Sequence, residues 1–215
     1  ASHHRRQNQR ISRQSGSETV VKESIPPILR PDAVEPVDLN VFAKKFELPV
    51  IGDASGVRLT GISMNTGDLR SGDLFVAMPG KKTHGANFVS KAIEQGAVAI
   101  VTDAAGIKLL GDISVPVLEL ENPRAHLGEL AAYVYGNVQG NMPKLFATTG
   151  TNGKTSTSYL LEAILRQLGE TTGLTSTAER HIAGEVIVSR LTTPESPEMQ
   201  ALIARMREKG VTSVA

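Results

Sequence analysis

The sequence predicts an α/β protein made of a small N-terminal α/β domain followed by the start of a P-loop, parallel-sheet domain that is truncated. Three observations predict it. From about Asp38 onward, strand-sized apolar runs alternate with amphipathic helices. A glycine-rich turn, Thr149-Gly150-Thr151-Asn152-Gly153-Lys154-Thr155, separates an apolar strand from an amphipathic helix. Only one and a half strand-helix units follow it before Ala215, too few for a finished sheet.

Composition narrows the classes. The 215 residues are 40% hydrophobic, enough for an ordinary packed core. With no cysteine, disulfides and thiolate metal sites are excluded, so a metal must take oxygen or imidazole ligands, which suits a cytoplasmic magnesium enzyme. The 23 basic and 22 acidic residues nearly cancel and aromatics make up only 4%, so the electrostatic footprint and stacking surface of a nucleic-acid binder are missing. The longest apolar patches, such as Val98-Ala99-Ile100-Val101, are strand-sized, so membrane insertion is not expected.

In chain order, residues 1–37 read as a disordered tail and a Pro-rich lead-in. The first seventeen hold Arg5, Arg6, Arg10 and Arg13, no acidic residue and little to bury. Such a start also suits an organelle transit peptide, although it lacks an amphipathic apolar face. Residues 38–137 form the first domain. It is expected to contain a short helix at 40–46, strands at 57–62 and 73–77, and a helix at 86–95 with Phe88, Val89, Ala92 and Ile93 at helical spacing. A strand at 97–101, another at 116–120 and a helix at 122–135 ending at Gly136 complete it. Residues 137–143 read as a linker. The second domain, 143–215, opens with a strand at 144–148, the glycine-rich turn and a helix at 154–168. A strand at 172–176, a hairpin across Ala183-Gly184, a polar loop at 192–197, a helix at 198–209 and a final strand from Val211 follow.

The turn at 149–155 has the makings of a phosphate site. Gly150 and Gly153 permit backbone angles that let successive amides face one concavity at a helix N-terminus. Thr149, Gly150, Thr151, Asn152, Gly153, Lys154, Thr155 and Ser156 would bind the nucleotide. Lys154, the candidate catalytic residue, would neutralise β- and γ-phosphate charge, and the Thr155 hydroxyl would ligate Mg²⁺. Thr148 stands where the usual P-loop rule wants glycine.

This loop resembles the ATP loop of the Mur ligase superfamily, which also contains the folylpolyglutamate synthetases and cyanophycin enzymes. Upstream, Ser71 to Gly80, His84 to Phe88 and Gly96 to Val101 are similar to the UDP-binding first domain of the family's UDP-muramoyl-peptide ligases. Where that domain has Asp-Ser-Arg, with its serine near the uracil, this chain has Asn65-Thr66-Gly67, which keeps a hydroxyl and lacks the arginine. Thr66 and His84 are candidate UDP-substrate residues, while His84 also reads as a surface histidine in a turn. Downstream, Leu191 to Pro197 is similar to the Thr-Thr-Pro-Glu loop of the branch that adds the third residue of the cell-wall peptide. Thr192 and Thr193 would hold the muramoyl-peptide end, and Ser196 would cap the following helix, with Pro197 at its first position.

The resemblance implies an ATP-dependent amide-forming ligase of peptidoglycan synthesis. It would join diaminopimelate or lysine to UDP-MurNAc-L-Ala-D-Glu through an acyl phosphate, with Mg²⁺, in the cytoplasm and as a monomer. It also implies further catalytic elements and an amino-acid domain after Ala215, so the polypeptide ending there is expected to be inactive alone. The alternatives are a non-catalytic module binding nucleotide or UDP-muramoyl-peptide, and another branch of the family, MurF.

Overall fold

The computed structural model describes residues 28–189 and 194–215. The expected tail and transit-peptide features, and both Thr192 and Thr193, lie outside the described residues.

The chain first forms β1 (Val37–Asp38) and α1 (Leu39–Lys45), where the Asp38 carboxylate accepts from the amides of Asn40 and Val41 and so caps the helix. Next come β2 (Val50–Ile51), β3 (Arg58–Leu59) and β4 (Gly61–Ser63). The single strand expected over 57–62 is therefore two. β3 pairs antiparallel with β1, whereas β4 pairs parallel with β5 (Asp73–Ala77). Thr60 sits at the change of partner, its amide donating to Gly72 O at 2.9 Å.

A 3-10 turn over Gly85–Phe88 leads into α2 (Val89–Glu94), shorter than the helix expected at 86–95, and then β6 (Ala97–Thr102) follows. The sequence reading omitted α3 (Ala104–Leu109), a six-residue helix capped by Asp103. β7 (Val117–Glu119) and α4 (Pro123–Val134), capped by Asn122, complete the first unit. The first large sheet runs β2-β7-β6-β5-β4, parallel except for β2. All five residues of β5 are buried. Leu74 and Val76 face a core shared with α1 and α4, and Phe75 and Ala77 face a second one shared with α2 and β6. A parallel strand covered on both faces reads as a continuous apolar run, which is why this strand was legible to the residue.

The second unit holds β8 (Lys144–Leu145), α5 (Lys154–Gln167), β9 (Thr172–Thr175), β10 (Glu179–Ile182), β11 (Glu185–Val188), α6 (Ser196–Glu208) and β12 (Ser213–Val214). Its sheet runs β11-β10-β9-β12-β8, with β9, β12 and β8 parallel and the β10–β11 hairpin antiparallel, so it is mixed. Ala183 (φ 51°) and Gly184 (φ 92°) make the two-residue turn, both in the left-handed region that matches strand twist. α6 begins two residues earlier than expected, after Glu195, and Ser196 is its first residue rather than its cap. β8 is two residues long, because it ends at the sheet edge with Leu145 and Phe146 exposed.

The two units are joined by more than a linker. α4 and α6 pack together, and the Arg207 guanidinium donates to the carbonyls of Tyr135 (2.8 Å), Gly136 (2.7 Å) and Asn141 (3.1 Å) and to Asn137 Oδ1 (2.8 Å). The Pro-rich lead-in becomes a strap across both units. Arg30 pairs with Asp73 at 2.7 Å, both buried, while the amides of Asp32 and Ala33 donate to the Glu208 carboxylate at 3.0 and 2.9 Å. Leu29 packs on the core of the second unit and Ile28 and Val34 on that of the first.

Candidate functional site

An exposed loop and a recess lie at the C-terminal ends of parallel strands, where ligands of open α/β sheets commonly bind. The first is the loop after β8. Gly150 (φ 149°) and Gly153 (φ 78°) adopt backbone that side chains resist. A Cβ at Gly153 would meet nothing within 4 Å, so the angle and not crowding calls for glycine there. The first backbone bond entering α5 runs from Thr157 N to Gly153 O at 2.9 Å. The amides of Lys154, Thr155 and Ser156 precede it, and Gly153 offers no side-chain cap. Residues 149–157 are all exposed. Lys154 folds over the loop, its Nζ donating to Gly150 O at 2.7 Å.

The donor set suits magnesium held mainly by phosphate oxygens. Thr155 brings an exposed hydroxyl to the first turn, no carboxylate lies within 149–156, and among the described residues no group of three His, Cys, Asp or Glu side chains makes a metal cage. Mg²⁺ characteristically keeps several waters and takes few protein ligands beside phosphates.

Further along α5, Tyr159 and Glu162 brace the helix against β10. Tyr159 OH donates to Glu179 Oε2 at 2.7 Å, and His181 Nδ1 lies 2.8 Å from Glu162 Oε2. The bond to Glu179 pushes the Tyr159 phenol up, while the Glu179 carboxyl is held below its usual range by Tyr159 first and His181 second.

The recess, of about 320 Å³, opens between the loops after β4 and β5. Met64, Asn65 and Thr66 line one side, and Met78, Thr83 and Phe88 line the other. Thr66 starts a 3-10 turn capped by Asn65 Oδ1, which accepts from Gly67 N at 3.0 Å. The structure thus brings Thr66 to the recess. His84 does not line it: Nδ1 accepts from Ala86 N at 3.0 Å and Nε2 lies 3.2 Å from Asp103 Oδ1, so both ring nitrogens are used internally. Sequence reasoning does not single out Met64, Met78 and Phe88 as lining residues, because apolar residues beside strands and at helical spacing read as core.

The chain matches the family model described as "Mur ligase family, catalytic domain" over residues 55–135 and the "Mur ligase middle domain" model over residues 148–215. It is 46% identical over 190 residues to the UDP-N-acetylmuramyl-tripeptide synthetase of Leifsonia xyli subsp. xyli, covering 88% of this chain and 37% of the relative. It is 43% identical over 169 residues to the UDP-N-acetylmuramoyl-L-alanyl-D-glutamate--2,6-diaminopimelate ligase of Streptomyces coelicolor, covering 79% of this chain and 33% of that protein. The chain therefore spans about a third of the length of these relatives. Among solved structures, a UDP-N-acetylmuramoyl-L-alanyl-D-glutamate--2,6-diaminopimelate ligase superposes with a TM-score of 0.65 at 18% identity, over 84% of this chain and 35% of that one. MurF from Acinetobacter baumannii superposes with a TM-score of 0.57 at 20% identity over 84% and 35%. At these identities both superpositions speak for the fold alone.

Proposed function

Since this chain belongs to the Mur ligase family, we propose that it is part of a ligase of the MurE branch, which joins a diamino acid to UDP-MurNAc-L-Ala-D-Glu at the expense of ATP. The single observation that carries this is the loop at 149–156: two glycines at positive φ, a helix start without a side-chain cap, and a lysine reaching back over the loop. The relatives named for addition of the third residue favour MurE over MurF.

In this reading residues 38–137 hold the UDP end of the substrate, with Thr66 beside the uridine, and residues from 143 onward hold ATP. Thr192 and Thr193 take the muramoyl-peptide end. The substrate carboxylate attacks the γ-phosphorus, ADP leaves, and the resulting acyl phosphate is attacked by the amine, releasing phosphate as the amide bond forms. Carboxylate and triphosphate repel each other, so catalysis is chiefly positioning and charge neutralisation. Lys154 exchanges its carbonyl partner for phosphate oxygens, and the amides of Lys154, Thr155 and Ser156 bind the same group. Mg²⁺, when bound, screens phosphate charge, and Thr155 is the residue here that would hold it. The whole protein acts in the cytoplasm, where ATP is supplied, as a monomer.

The test is ligation by the full-length protein with UDP-MurNAc-L-Ala-D-Glu, ATP, and either diaminopimelate or lysine, following the UDP-tripeptide and phosphate by chromatography. Product with one diamino acid and none without ATP supports the proposal. ATP turnover that is indifferent to the UDP substrate would sink it in favour of an unrelated nucleotidase.

A further inference from the structure

We propose that His84 and Asp103 form a latch that sets the shape of the recess at 64–88 and so position its ligand without touching it. The inference rests on the UDP assignment of that recess.

The loop from Met78 to Gly85 forms the outer wall, and its ends are drawn together. Gly80 N donates to Thr83 O at 3.1 Å and Gly85 N to Met78 O at 2.9 Å. Gly85 lies flush against the end of β5, since a Cβ there would come within 2.8 Å of Met78 N and 3.0 Å of Ala77 Cα. The His84 ring ties this loop to the cap of α3. Because an amide must donate, the Ala86 contact requires Nδ1 to be unprotonated, which puts the ring hydrogen on Nε2, aimed at Asp103 Oδ1. The same carboxylate oxygen accepts from Gly106 N at 2.7 Å, so one acceptor joins the wall of the recess to the start of α3.

The start of α3 packs closely against this ring. A Cβ on Gly106 would lie 1.9 Å from Thr102 Oγ1 and 2.7 Å from His84 Cε1. Thr102 is itself committed, its hydroxyl donating to Ala77 O at 2.7 Å inside the core. The absence of a side chain at Gly106 therefore accommodates both the buried threonine and the histidine. Both ring nitrogens are engaged within the protein, which makes the ring a bracket behind Thr83 and Gly85, two residues that do line the recess.

The experiment is calorimetric titration of UDP, and separately of ATP, into the full-length protein. Losing the two ring bonds should weaken UDP about tenfold in His84→Ala, the equivalent of one or two hydrogen bonds, with ATP affinity unchanged. Asp103→Ala should do the same, and the double variant should be little worse than either, because a single link is cut. Asp103→Asn keeps the accepting oxygen and should restore UDP affinity. If His84→Ala loses ATP as well, the comparison of Asp103→Ala with Asp103→Asn decides alone. UDP affinity equal to wild type in both alanine variants overturns the latch, as does a double variant whose losses simply add. Failure of the unaltered protein to bind UDP at all overturns the UDP assignment, and the latch with it.

Discussion

Gly61→Ala is expected to break the anchor of the strap. A Cβ built on Gly61 would lie 2.2 Å from Asp73 Oδ1 and 2.6 Å from Arg30 Nη1, inside the buried ion pair. Ends of side chains ordinarily swing away cheaply, but both of these are held from the far side. Asp73 Oδ2 accepts from Arg70 N at 2.9 Å, and Arg30 Nη2 donates to Asp68 O at 2.9 Å. The methyl can enter only if the pair opens. Breaking a buried pair by deleting one partner costs about 3–5 kcal/mol. Here both charges survive and can find water, so about 3 kcal/mol is expected, the upper end of an overpacking penalty. At about 1.4 kcal/mol per factor of ten, amide exchange in β4 and β5 should accelerate by roughly 150-fold. Exchange measured by mass spectrometry avoids assuming one unfolding transition in a protein of several units. Protection within about threefold of wild type would refute the reasoning, because it would show that the pair yields without cost.

Lys154→Ala should leave stability within about 0.5 kcal/mol, since the side chain is exposed, while ligation falls by at least about a hundredfold; a thermal melt beside the ligation assay checks both. Ala183→Asn should stabilise the hairpin by up to about 1 kcal/mol, because asparagine tolerates the left-handed φ of 51° better than alanine, and a lower melting temperature would contradict this. At Glu208, burial alone would raise the carboxyl, but the amides of Asp32 and Ala33 and then Arg205 outweigh it and hold it below 4.5. A depressed folded value means its contribution is fully present above about pH 4.5 and is lost as pH falls through that lower value. Limited proteolysis of the strap should therefore accelerate in acid below that point, and Glu208→Gln should remove that part of the pH dependence.

What the sequence revealed depended on how local the cause was. β5 was legible because burial on both faces writes itself as the apolar run Leu74 to Ala77, and the loop at 149–156 because its glycines and lysine lie within five residues. The break at Thr60 was not, since only the positions of β1 and β5 decide that neighbouring residues serve different sheets. α3 was missed because six residues containing Gly106 give too short a periodicity, although Asp103 before it was a readable cap. The contact between His84 and Asp103 was not legible for the same reason, since the two lie 19 residues apart in the chain. The strap at 28–36 looked like a spacer because prolines mark extended chain without saying what it lies against.

The strap also has a consequence in time. Arg30 meets Asp73 across 43 residues, but Asp32 meets Glu208 across 176. At translation rates of roughly 5–20 residues per second, the first contact becomes possible within seconds of the strap's synthesis, and the second only after roughly 9–35 s. During that interval Leu29 has no core to enter, because α6 does not yet exist. Until then the Arg30–Asp73 pair is the end of the strap that can form, so weakening that pair should lower the yield of folded protein on the ribosome.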